Sequence, residues 1–267
     1  MELDAGKLYV TARRDDVRPK RALLLRTHPS GADWEIWDIT PLDAQGEVTT
    51  LDHPGGIQSD GTRLWIPLAE SKRDGRSIIR AFPLSDLVAG QRLKPVFEFP
   101  VSDHIGAVAV SGERELLFGA NWDTEKVYVW DFKGGLQRMV LDDELKARGL
   151  GVEGGDKGGA GVAVQDWKVL GDRLFAAGLV RTPNSVTVSP ASRVCGFERF
   201  LERDFGRWMV TLPTQHGTEL AREAMAISGG FVYFLPADLG ASNRLFRVSF
   251  AELRSGGTER PALSHAP

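Results

Sequence analysis

The chain has 267 residues, 33 Lys and Arg against 36 Asp and Glu, 42% hydrophobic residues, 30 Gly, 14 Pro and one Cys. A globular chain of this size buries roughly 75% of the surface its unfolded form exposes, so neither disulfides nor a structural metal is needed to hold a core. Collagen-like, coiled-coil and disordered classes are excluded. A formal net charge of -3 with interspersed signs gives no field that draws the chain to nucleic acid or to an anionic membrane.

Apolar runs of five to eight residues, rich in Val, Ile, Leu, Phe and Trp and separated by Gly, Asp, Pro and Ser, predict strands in chain order. They fall at Lys7 to Arg13, Ala22 to Thr27, Trp34 to Ile39, Arg63 to Leu68, Ser77 to Phe82, Val96 to Phe99, Glu115 to Gly119 and Lys126 to Phe132. Arg173 to Leu179, Arg193 to Phe197, Arg207 to Leu212, Phe231 to Leu235 and Arg244 to Phe250 follow. Helical turns are expected only at Ser85 to Ala89, Asp142 to Ala147, Thr218 to Arg222 and Ala251 to Leu253. The class is all-β. Cys195 has no partner in the chain, and the start MELDAGKLYV lacks a basic and then apolar leader. A reducing, cytoplasmic location is expected, or export if a leader has been removed.

Repeats carry the architecture. HPGGIQSDGTRLWIPLAES from His53 overlays HIGAVAVSGERELLFGANWD from His104 at an offset of 51 residues. The same turn-then-strand pattern recurs in VQDWKVLGDRLFAAGL from Val164 and REAMAISGGFVYFLPAD from Arg222, and Trp37, Pro83 and Trp130 form a ladder 46 and 47 residues apart. A unit of about 50 residues holding a few short antiparallel strands cannot bury both faces alone and must stack on its neighbours, as a propeller blade does. The expectation is one β-propeller domain over residues 1–267 with five blades, at about 1–52, 53–102, 103–148, 160–213 and 218–267. Six blades is the alternative. The Gly-rich segment 149–161 links the third blade to the fourth, and Lys7 to Arg13 either opens the first blade or completes the last.

VYVWDF and WEIWDIT resemble the strand endings of Trp-Asp repeat propellers, without their Gly-His partner. HPGGIQSDGTRLWIPLAES, DHIGAV and VQDWKVLGDRLFAAGL together resemble a family of bacterial propeller-like proteins with no assigned activity, over roughly residues 50–240. That resemblance implies the fold and supplies no catalytic residue.

In a propeller the first strand of each blade lines a central channel, and ligands bind at its mouth. The overlay therefore predicts that His53 and His104 meet at one end, joined by Gln165 and Asp166 from the fourth blade and Arg222 and Glu223 from the fifth. Two neutral imidazoles and a carboxylate can hold a divalent transition metal with positions open for water, with His53 and His104 as ligands and Asp166 or Glu223 taking the proton. The competing reading makes the histidines, with Asp52 and Asp103 before them, turn and hydrogen-bond residues. A second set stands at the ends of the second strands: Glu70, Asn121, Trp122 and Asp238. The calcium-dependent lactonase propellers, which these positions resemble, use Glu, Asn and Asp as oxygen ligands. Glu70 could equally pair with Lys72, Arg73 or Arg76, worth at most about 1 kcal/mol, and Trp122 could pack between blades.

No HExxH, CxxC, acidic calcium loop, phosphate-binding glycine motif or GxSxG elbow is present. Cys195 reads as a buried small hydrophobe, Arg13 to Arg21 as a hairpin cap in water, and His28, His216 and His265 as turn or tail residues. Two functions follow. One is a small-molecule site at the channel mouth, of the kind a metal-assisted hydrolase or lactonase-like enzyme would carry. The other is a protein-interaction scaffold without catalysis, common among propellers because a rigid disc presents many loops.

Overall fold

The computed structural model describes residues 1–30, 33–90, 92–141, 162–171, 173–180, 185–190, 208–211, 220–236 and 244–250. These form five antiparallel sheets. The first holds β1 (Glu2–Asp4), β2 (Lys7–Arg14), β3 (Arg21–Thr27) and β4 (Glu35–Asp38) in that order. The second holds β5 (His53–Pro54), β6 (Gln58–Ser59), β7 (Arg63–Ala69), β8 (Ser77–Pro83) and β9 (Phe97–Val101), with β5 and β6 sharing one side of β7. The third is β10 (Ile105–Ser111), β11 (Leu116–Asn121), β12 (Lys126–Asp131) and β13 (Leu136–Leu141). The fourth is β14 (Val162–Leu170), β15 (Arg173–Val180), β16 (Ser185–Pro190) and β17 (Trp208–Thr211), and the last is β18 (Ala224–Ser228), β19 (Phe231–Leu235) and β20 (Phe246–Ser249).

The sheets succeed one another in a closed circuit. β7 packs on β10, β10 on β14, β14 on β18 and β18 on β1, which meets β6. Alternation along each strand explains it, because successive side chains point to opposite faces and both faces are apolar. Leu64, Ile66 and Leu68 of β7 join Tyr9, Leu24 and Trp37 of the first sheet, while Trp65, between them, joins Ile105, Val110 and Leu117 of the third. Phe118 and Val129 then pack on Trp167 and Leu174, Phe175 and Ala177 on Met225 and Phe234, and Leu8 on Ala226. Each neighbouring pair of sheets thus has its own core, and a fully buried side chain such as Trp65 or Phe234 contributes about 1.5–3 kcal/mol. The result is an all-β, propeller-like molecule. Among the described residues, no helix is long and apolar enough to cross a membrane.

Near the axis the inner strands come within backbone contact. Gly56 N–H donates to Gly106 O at 2.9 Å and Val108 N–H to Gly56 O at 3.0 Å, a parallel bridge between the second and third sheets. A Cβ on Gly55 would lie 2.1 Å from Gly106 O, and one on Gly56 2.5 Å from Gln165 O. The absence of side chains at these two positions lets three sheets converge.

Two expectations change. Lys7–Arg14 is the second strand of the first sheet, preceded by β1, and does not complete the last one. The ladder of Trp37, Pro83 and Trp130 mixes positions: Trp37 lies on a fourth strand, Pro83 and Trp130 on third strands. The expected helical turns appear as single 3-10 turns at Leu84–Asp86 and Leu220–Arg222. The remaining two, the strand over Arg193 to Phe197, the link 149–161, Cys195, His216, Asp238 and His265 lie outside the described residues.

Candidate functional site

The register brings two imidazoles together. Leu8, Leu64, Leu117 and Leu174 each face the preceding sheet on the second strand of their own. Five residues further on stand Arg13, Ala69, Trp122 and Leu179. Opposite Ala69 lies His53, and opposite Trp122, whose N–H donates to His104 O at 3.0 Å, lies His104. The two rings sit 5.4 Å apart, centroid to centroid, tilted at 58°. Arg13 and Trp122 flank them for the same reason of count.

Hydrogen bonds fix the tautomers. Arg13 Nη1 lies 2.9 Å from His53 Nδ1. A guanidinium only donates, so Nδ1 accepts and neutral His53 carries its proton on Nε2. His104 Nδ1 lies 2.8 Å from Glu70 O and 3.1 Å from Lys72 O. Carbonyls only accept, so His104 carries its proton on Nδ1 and presents a bare lone pair at Nε2. His104 is 2% exposed. Burial, followed by the charges of His104 and Arg13, pushes His53 down to about 4. Burial also lowers His104, against the pull of its two carbonyl partners. Near neutral pH both rings are uncharged: one offers an N–H, the other a lone pair.

The surrounding charges are already matched. Arg13 Nε meets Asp15 at 2.8 Å, Lys20 meets Asp15 at 3.0 Å, and Arg13 Nη1 also donates to Ser71 Oγ at 2.7 Å. Ser71 Oγ in turn donates to Asp52 at 3.2 Å. Arg73 bridges to Asp123 and Glu125 across the second and third sheets. Asp103, buried just before His104, accepts from Asn121 Nδ2 at 3.2 Å, Lys126 Nζ at 3.1 Å, Tyr128 OH at 2.7 Å and the His104 N–H at 2.8 Å. It is the hub from which His104 and the Asn121–Trp122 segment both hang, and burial with this contact raises the Tyr128 phenol. The Trp122 ring stands edge to face with His104 at 4.6 Å.

Other expected site residues take different places. The Glu70 carboxylate is held by Lys72 at 3.0 Å, Thr50 at 3.0 Å and Arg76 at 3.3 Å, chiefly Lys72 bringing it down to about 2; only its carbonyl serves His104. Arg73 is not among its partners, being engaged with Asp123 and Glu125. Asn121 Oδ1 is taken by the Lys126 N–H at 2.8 Å. Gln165 and Asp166 are not level with the imidazoles. They sit beside Gly56, three residues further along the inner strand, and the residue opposite Leu179, in the place of His53, is the buried Ala163. Asp166 is sealed. It accepts from the Met1 ammonium at 2.7 Å, from the Met225 N–H at 3.0 Å and from Lys168 Nζ, which also donates to Ile57 O at 2.6 Å. A carboxylate committed in this way has no lone pair turned to the mouth. Arg222, exposed, and Glu223, half-buried, stand just ahead of β18.

A divalent metal fits this donor set poorly. His53 could ligate only by taking its proton onto Nδ1, against the Arg13 donor, and the ion would lie beside a guanidinium. Among the described residues no group of three or more His, Cys, Asp and Glu is spaced to hold an ion. Sequence reasoning missed Arg13, Ser71 and the Asp103 hub. Arg13 lies 40 residues from His53, and only the offset repeat count, applied to the first sheet as well, could have pointed to it.

Residues 39–148 match the model of a family of unknown function, DUF6454. No curated protein matches the chain in sequence. Among solved structures, hydrazine synthase of Kuenenia stuttgartiensis is similar at 15% identity and a TM-score of 0.43, over 77% of this chain and 48% of that one. The WD40 repeats of RRP9 are similar at 13% identity and a TM-score of 0.35, over 70% and 48%, so the chain spans about half the length of either. A nidogen/laminin complex chain is similar at 11% identity and a TM-score of 0.44, over 95% and 80%.

Proposed function

We propose that the chain is a five-bladed propeller, one blade per sheet, with a small-molecule site at the channel mouth where His53 and His104 meet, and that this site hydrolyses an ester-type bond without a metal. The pair of neutral imidazoles with opposite tautomers carries the reading. His104 Nε2 takes a proton from water as the water oxygen attacks a carbonyl carbon, and His53 Nε2–H donates to the oxygen on which charge develops. Arg13, donating to His53 Nδ1, polarises that N–H further. The proton on His104 then passes to the leaving oxygen. In this reading the base is His104, and neither Asp166 nor Glu223 is needed in that role.

Turnover of p-nitrophenyl acetate, a generic activated ester, tests the base. The wild-type protein is expected to exceed His104→Gln by about 10²-fold in kcat/KM, within the range general-base catalysis supplies. Equal rates in the two proteins, with unchanged unfolding midpoints, would remove His104 from the chemistry.

A further inference from the structure

The turn that carries Trp122 is strained. Asp123 and Thr124, the two residues after it, both lie in the left-handed region, at φ +57° and +58°. Asp tolerates that conformation, but for a β-branched residue it is an outlier that persists only where the surroundings enforce it. Building on the site reading above, we infer that Thr124 is a positioning residue: its buried hydroxyl pins the strained turn, which holds Trp122 against His104 and so fixes where the base points.

The anchor crosses between sheets. Thr124 is fully buried, and its Oγ1 accepts the Val164 N–H of the fourth sheet at 2.9 Å. Arg73 of the second sheet holds Asp123 at 2.7 Å, and within the third sheet the Lys126 N–H closes the turn on Asn121 Oδ1 at 2.8 Å. Three sheets therefore fasten one short turn. Its product is the edge-to-face contact of Trp122 with the His104 ring at 4.6 Å. Hydrogen bonds from Nδ1 to the Glu70 and Lys72 carbonyls hold one atom of the imidazole and leave the ring free to rock about it. The indole limits that rocking, and with it the direction of Nε2. Without the hydroxyl, the Val164 N–H loses its partner and the strain of the turn is no longer opposed there, so Trp122 moves off the ring.

Three substitutions separate the anchor from the strain. Thr124→Val keeps the crowded left-handed backbone and loses the acceptor, Thr124→Gly loses both, and Thr124→Ser keeps the acceptor. Full-length protein carrying 5-fluorotryptophan, its Trp122 signal assigned with Trp122→Phe, reports the ring contact. In the wild type and in Thr124→Ser that signal is expected to shift as falling pH protonates His104, below the ordinary histidine range because the ring is buried, and the shift should vanish in His104→Gln. Thr124→Val should lose at least half of the shift and about tenfold in kcat for p-nitrophenyl acetate with KM unchanged, as misplacing a reacting group does. Thr124→Gly, in which nothing pushes the turn outward, should keep most of the shift. If the valine protein does not fold, Thr124→Ala carries the same expectation. A full shift and unchanged kcat in the valine or alanine protein would overturn the inference, and so would equal losses in the valine and glycine proteins, because the strain would then play no part. The two readings fail separately. A Trp122 signal that behaves as expected in protein without esterase activity removes the hydrolysis and leaves the positioning, whereas activity that ignores Thr124→Val removes the positioning alone.

Discussion

Gly55→Ala is expected to lower stability by about 3 kcal/mol, a large share of the roughly 5–15 kcal/mol that holds an ordinary domain together. A methyl group there would lie 2.1 Å from Gly106 O and 3.1 Å from the Pro67 ring. The first of these is backbone and cannot be relieved by a side-chain rotation. The inner strands of the second and third sheets would have to separate, taking the bridge between Gly56 and Ala107 with them. Gly61→Ala supplies the contrast. Gly61 lies in a hairpin at φ +88° with nothing near its missing Cβ, so alanine there meets only the left-handed backbone strain of about 1 kcal/mol. Urea unfolding of the two variants measures the difference. Equal midpoints would mean that the sheets do not meet at an axis near Gly55.

The second large effect is expected at Lys168, whose side chain is almost wholly buried. Its ammonium contacts Asp166, Ile57 O and Trp167 O, with Glu2 Oε2 at 3.9 Å. Burial pushes Glu2 up to about 8, so near neutral pH Glu2 holds a proton and Asp166 is the counter-ion of Lys168. Lys168→Met removes one buried charged partner of Asp166 and leaves it the Met1 ammonium and the Met225 N–H, a loss of about 3 kcal/mol, at the low end for breaking a buried pair. Lys72→Met breaks a pair of similar length with Glu70, but the Lys72 side chain is 63% exposed and the expected change is at most about 1 kcal/mol. Chemical unfolding of both variants at pH 7 checks the contrast, and a small effect at Lys168 would show that its charge reaches water.

Much of the sheet pattern was legible because strands such as β7 and β10 carry apolar residues on both faces, a pattern a ring of stacked sheets demands. The repeat at 51 residues carries real geometry as well: His53 and His104 hold corresponding positions and their rings touch. The phase of the fourth sheet was not legible. Its hairpin places two residues between Leu170 and Arg173, whereas four lie between Ser59 and Leu64 of the second, and β14 carries a bulge between Val164 and Asp166. Each irregularity slides the alignment, and a slip of one residue reverses which face a side chain takes. Gln165 and Asp166 were therefore matched to the histidines although Ala163 holds that place, two residues before Gln165 and three before Asp166. The Asp103 hub was hidden for another reason. Asp103, Asn121, Lys126 and Tyr128 are ordinary surface residue types, and only β-strand pairing turns them inward on one carboxylate.

The account rests on two imidazoles from successive sheets facing each other at the channel mouth, one as donor and one as acceptor. Nuclear Overhauser contacts between the carbon-bound ring protons of His53 and His104 test this most directly, in protein labelled at histidine alone and assigned with the His53→Gln and His104→Gln variants. A cross-peak between the two rings, from protons within about 5 Å at a centroid separation of 5.4 Å, is the predicted result. Two sharp, assigned imidazole signals with no cross-peak between them would contradict it.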